Sequence, residues 1–259
     1  ASPSSDLFLG SRYIKESHPV ARHPLLQTSA VVIVFASLLY LLAIFKGAGH
    51  LFQMFLDVPY ENGVGLTLII VVLYTSVGGF VSVVRTDVLQ GTLMLLGSVI
   101  IFYFVTRAAG GILAIGEIRA IPEKQFLFEL NGGIPFAVLL GISLSGALKL
   151  LSDPRQLSRF YSLKDDKAVR QGKWIATIGL AIVLFCLFPI GIYAHLILPE
   201  VTDTDLIVPS LVNDAAVFPL WATDFLIVSI LAAAMSSMDS VLLVAASTLY
   251  KNLVAPFAS

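Results

Sequence analysis

Long, uninterrupted apolar runs fix the environment of this chain before any motif is considered. A helix of about 20 apolar residues crosses a bilayer. Six such segments occur, at about 26–46, 64–82, 88–106, 133–151, 174–198 and 223–249. A soluble core would show shorter, alternating patterns. The composition agrees, with 57% hydrophobic and 13% charged residues. A soluble domain carries about 25% charged residues. The expected fold is all-α: a polytopic membrane helix bundle, with residues 1–259 as a single transmembrane domain in the lipid bilayer.

Several function classes fall away. A net charge of −1 gives no reason to expect a nucleic-acid partner. The single cysteine, Cys186, lies inside an apolar run, so no internal disulfide forms. His18, His23, His50 and His195 are scattered, without zinc-like spacing. No H-E-x-x-H motif is present, and Gly141-Ile142-Ser143 does not continue as a nucleophile turn, so no enzyme is expected.

Breaks and loop charges give an expected topology. Residues 1–25 are polar and read as a loop entering the first helix, which can continue past Lys46 to Phe55 as a long, tilted span. Gly78-Gly79 closes the second segment. With alternating helices, Arg12, Lys15, Arg22, Arg85, Arg155, Arg159, Lys164, Lys167, Arg170, Lys173 and Lys251 share one side. The other side holds only Arg107, Arg119 and Lys124, together with the acidic loop of Glu200, Asp203, Asp205 and Asp214. Lys and Arg concentrate on the cytoplasmic side. Both ends of the chain are therefore expected in the cytoplasm, with the protein in the inner (plasma) membrane.

Ionisable groups at membrane depth are costly and mark function or a specific partner. Ala233, Ser236, Ser237, Ser240 and Ser247 line one face of the sixth segment at helical spacing. Small residues of this kind let membrane helices approach closely. The alternative is a cation site built from hydroxyls and a freed carbonyl. Asp239 favours that alternative, because packing does not require a carboxylate. Asp87 opens the third segment, where a carboxylate offsets the helix dipole and caps free N–H groups. A functional role is the rival reading, and Thr86 and Asp87 can serve both. Lys149, near the inner end of the fourth segment, either snorkels to headgroups or meets an anionic solute. The depth of Lys46 depends on where the first segment ends.

Five stretches together resemble one family. Tyr74 to Phe80 followed by Thr86-Asp87-Val88-Leu89-Gln90-Gly91 is similar to a helix-end and helix-start pattern of the sodium/solute symporter family. Asp153-Pro154, with Arg159-Phe160, resembles the family's Gln-Pro…Arg-Phe segment, with Asp153 in place of Gln. Ala233 to Ser237 with Ser247-Thr248 resembles its eighth core helix, and Phe45 to Gly49 and Pro59-Tyr60 also fit. The order Asp-Pro…Arg-Phe is nearer to the family's proline and pantothenate carriers than to its sugar carriers.

The resemblance implies a LeuT-type fold of two inverted five-helix repeats, with sites at discontinuous helices. The six segments would be core helices three to eight, making the chain a partial copy of that fold, truncated at both ends. It further implies Na+ as the coupling ion. Ala233 would offer a carbonyl, Ser236 and Ser237 their oxygens, and Asp87 an acidic position on the inner sodium path. Substrate contacts are expected at Lys149, Ser145 and Asp239. The implied function is sodium-coupled symport of a small organic solute by alternating access, with the solute beside the first, fourth and sixth segments. The rival reading is a transporter-like sensor module of a signalling protein.

Overall fold

The computed structural model describes residues 24–129, 134–198 and 207–255. Arg12, Lys15, Arg22, Gly132, Glu200, Asp203 and Asp205 lie outside the described residues. The long elements are α1 (Pro24–Leu56), α2 (Tyr60–Ala108), α4 (Phe136–Ser152), α6 (Asp166–Ile197) and α8 (Leu220–Thr248). Short helices α3 (Ile115–Arg119), α5 (Pro154–Tyr161) and α7 (Ile207–Val212) connect them. No strand occurs among the described residues. Among the described residues, four helices are long and apolar enough to cross a membrane. A fifth span results if α4 and α5, bent by 43°, are counted as one.

The first helix runs well past Lys46, over 33 residues. At 1.5 Å per residue that is about 50 Å, beyond the hydrocarbon thickness of about 30 Å, which is long enough to span with room for tilt. The second and third apolar segments both fall inside α2, whose 49 residues would span about 74 Å if straight. They are not straight. Gly79 has φ 56° and ψ −151°, a conformation essentially restricted to glycine. Tyr74, before the break, lies against Gln90, beyond it. A continuous helix would hold those two residues about 24 Å apart. The chain therefore folds back near Gly79 into two arms, residues 60–78 and 80–108.

Side-chain pairings fix the directions. Gly49 of α1 meets Val64 and Tyr60, and Gly63 meets Phe52, so α1 and the first arm are antiparallel. The second arm runs against α8, with Asp87 at Ser236 and Leu93 and Gly97 at Ser229. Phe102 stacks near Phe185, and Tyr193 reaches the Ile112 carbonyl, so α6 is parallel to the second arm. Close approach depends on missing side chains. A Cβ at Gly49 would sit 2.6 Å from Val64 Cγ2, and one at Gly97 would sit 2.8 Å from Ser229.

Helix α8 occupies the centre, touching α1, α2, α5 and α7. Two apolar clusters flank it. Leu41, Ala48, Val71, Met238 and Val241 join α1 and the first arm to α8. Ile101, Val105, Ile190, Tyr193, Phe218 and Leu226 join the second arm and α6 to its other end. Helix α4 differs from all of these. Apart from a half-buried Leu139, residues 136–150 are exposed, and the helix packs mainly on α5.

A candidate cation site between α2, α5 and α8

The bend after α4 begins the site. Asp153 caps α5, its Oδ1 accepting from the Arg155 backbone N–H at 2.9 Å, with Pro154 in the first turn. Its carboxylate also pairs with the Arg155 guanidinium at 2.5 Å. That guanidinium lies 5.0 Å from the centre of the Tyr40 ring, which ties α5 to α1. Arg159 follows Arg155 by four residues and so projects from the same face of α5, one turn on.

Arg159 is the hub. Its Nη2 donates to Asp87 Oδ2 at 2.5 Å and to Ser240 Oγ at 2.6 Å. The other oxygen of Asp87 accepts from the Ser236 hydroxyl at 2.6 Å. The single Ser240 proton has two acceptors in reach, the Ser236 carbonyl at 3.0 Å and Asp239 Oδ1 at 3.2 Å. Asp239 is fully buried, and its Oδ2 accepts from the Tyr74 hydroxyl at 2.8 Å. One connected network thus joins both arms of α2 to α5 and α8. Beside it, Thr75 Oγ1 and Gln90 Oε1 are buried without a hydrogen-bond partner among the described residues.

One sequence expectation needs correction. Asp87 does not open a helix. The helix resumes immediately after Gly79, so Asp87 lies two turns inside it, where backbone N–H groups are already bonded and there is no end to cap. Its carboxylate instead receives a hydroxyl and a guanidinium.

The other residues separate. Ser236 meets Asp87, whereas Ala233, three residues earlier, lines a cavity of ≈ 790 Å³ between α1 and α8 together with Lys46 and His50. Ser237 is half-buried and makes no hydrogen bond among the described residues. Among the described residues, Ser247 bonds only to the Val244 carbonyl of its own helix. Lys149 borders a second cavity of ≈ 310 Å³ with Tyr40, Arg155 and Val241. Ser145 is exposed on α4. Lys149, Ser145 and Asp239 are therefore not brought to one place. Sequence reasoning placed Ser240 on the hydroxyl-bearing face of the sixth segment but missed Arg159 and Tyr74 as parts of the network. Arg159 had a signal, its position one turn after a capped Asp-Pro start.

Among the described residues, four helices long and apolar enough to cross a membrane, one of them folded back at Gly79, surround an ionic network, the build of a multi-pass membrane protein. The chain belongs to the sodium:solute symporter family, whose profile matches residues 21–258. It is 26% identical to the sodium/pantothenate symporter of Haemophilus influenzae, covering 87% of this chain and 46% of that protein. The Escherichia coli sodium/pantothenate symporter is 30% identical, over 81% of this chain and 43% of the relative. The osmoregulated proline transporter OpuE of Bacillus subtilis is 31% identical, over 88% and 46% respectively. The chain thus spans less than half the length of these relatives. No solved structure matches it.

Proposed function

We propose that the chain is the central membrane part of a symporter that couples sodium entry to uptake of a small organic solute by alternating access, across a bacterial inner membrane. The observation that carries this reading is the bond from Ser236 to Asp87. The Ser236 hydroxyl spends its proton on a carboxylate, which leaves its oxygen lone pairs free for a hard cation. Asp87 supplies negative charge next to that oxygen. The Ser237 hydroxyl, uncommitted on the following residue, and the Ala233 carbonyl complete the contribution of α8. Relatives named for sodium-coupled carriage of pantothenate support the ion and the class of solute.

In this reading the end of the bundle bearing Arg85, Arg155, Arg159 and Lys164 faces the cytoplasm, and the end bearing Arg107, Arg119 and Lys124 faces outward. Sodium enters from outside, reaches Ser236 and Ser237, and leaves past Asp87. The solute occupies the cavity beside α1 and α8, where Lys46, His50 and Ala233 meet. The membrane potential adds about 2.3 kcal/mol per charge at 100 mV to the work available.

The test is uptake against sodium concentration for the full open reading frame in liposomes. Candidate solutes are pantothenate and proline. Ser236→Ala and Ser237→Ala each remove an oxygen ligand and are expected to raise the half-maximal sodium concentration by roughly one to two orders of magnitude. High sodium should rescue both. Ser247→Ala, which loses only a bond within its own helix, should be mild. Equal and mild effects at all three positions would make α8 a packing helix and end the ion-coupling reading.

A further inference from the structure

We propose that Arg159 is a tethered competitor of the coupling ion: its guanidinium occupies the Asp87 carboxylate when the inner end of the path is ion-free, and sodium must displace it. The inference rests on the sodium reading above and adds a residue and a role to it. Three observations carry it. Arg159 donates one nitrogen to both Asp87 and Ser240, so a single side chain holds an oxygen on each of the two helices that flank the path. Asp87 is the group that also receives Ser236, so the guanidinium and the proposed ion ligand share one carboxylate. Finally, Arg159 sits on α5, a two-turn helix that meets the bundle at Tyr40 of α1 and on α8, and that joins the largely exposed α4 at a 43° bend.

The chemistry of the exchange is simple. Asp87 carries one negative charge, and Arg159 already neutralises it. A sodium ion at Ser236 and Ser237 would be a second cation beside the same carboxylate, and the two cations repel. The ion gains full attraction to Asp87 only when the guanidinium withdraws. The Arg159 side chain is 36% exposed, against 17% for Asp87, so of the two partners the arginine is the freer to move. Return of the guanidinium then expels the ion toward the cytoplasm. A purely structural arginine would also bridge α5 to α2, but its loss would weaken ion binding by loosening Asp87. Competition predicts the opposite sign.

Binding of radioactive sodium alone, with no solute, to the purified full-length protein discriminates the two. Arg159→Gln is expected to lower the sodium concentration for half-saturation roughly three- to tenfold, the scale of removing a partly exposed competing ion pair. Millimolar guanidinium added to Arg159→Gln should restore the weaker binding. Arg159→Lys keeps a charge but loses the planar fork, so its value should lie between the two. It also serves if the Gln variant does not fold. Unchanged or weaker sodium binding in either variant overturns the proposal. If the unaltered protein shows no saturable sodium binding, the sodium-coupling reading itself fails, and this inference with it.

Discussion

At the scale of single residues, the site is defined by which partner each polar atom has. Asp87 has both carboxylate oxygens engaged, by Ser236 and by Arg159, and lies inside a continuous helical stretch. Asp87→Asn therefore keeps an acceptor for Ser236 but removes the charge. We expect the helix content and yield of the protein to persist, with the half-maximal sodium concentration for uptake raised about tenfold or more. An unchanged sodium dependence with normal expression would show that this carboxylate serves only to hold Arg159. The sequence made part of this legible. A carboxylate in an apolar environment and a hydroxyl pair on one helix face were enough to single out Asp87, Ser236, Ser237 and Asp239. Their partners were not legible, because Tyr74 and Asp239 are 165 residues apart and Arg159 and Asp87 are 72 apart. Contacts of that range depend on how helices pack, and helical periodicity speaks only to neighbours on one helix.

At the scale of elements, the fold-back of α2 is the feature on which the site depends, since it brings Tyr74 and Asp87 to the same stretch of α8. The turn rests on Gly79, with its positive φ and extended ψ. A side chain there costs about 1–3 kcal/mol. We expect Gly79→Ala to lower thermal stability in detergent by that order. Gly65→Ala, where a Cβ would meet nothing within 4 Å, should leave the melting temperature close to that of the unaltered protein. Equal stability of the two variants would mean that the turn tolerates another backbone conformation. The Gly78-Gly79 pair marked a break in the apolar pattern, and that break was readable. Where the next helix begins was not. Arg85 and Thr86 look like loop residues, yet they are helical in the structure, with the Thr86 hydroxyl bonded back to the carbonyls of Ser82 and Val83. Polar residues that satisfy themselves within a helix hide its true start.

At the scale of the whole molecule, the alternating helix directions give an orientation that labelling can check. Cys186, the single cysteine of residues 1–259, is buried, so this region adds little background to the labelling of new cysteines. We expect Leu113→Cys, at an 89% exposed position between α2 and α3, to react in intact cells with a maleimide that cannot cross the membrane. Lys164→Cys, on the exposed link between α5 and α6, should react only after the cells are opened. The reverse pattern would invert the assignment of inner and outer ends. An apolar α4 with nearly every residue exposed fits the same picture, since an apolar surface of that length is stable only against lipid or other membrane helices.

The central place of α8 bears on how such a protein is made. A ribosome delivers helices in order, and domains form as their parts emerge. Of the long described helices, α8 is synthesised last, yet it contacts α1, both arms of α2 and α5. Asp87 and Arg159 come from earlier helices, so this opposite-charge pair can form and shield itself from lipid before α8 arrives. Asp239 arrives on α8 itself and finds the Tyr74 hydroxyl already in place on the fold-back. Helix α8 thus enters a slot in which its hydrogen-bonding partners are already placed, and a nascent chain stopped before Leu220 would hold that slot open.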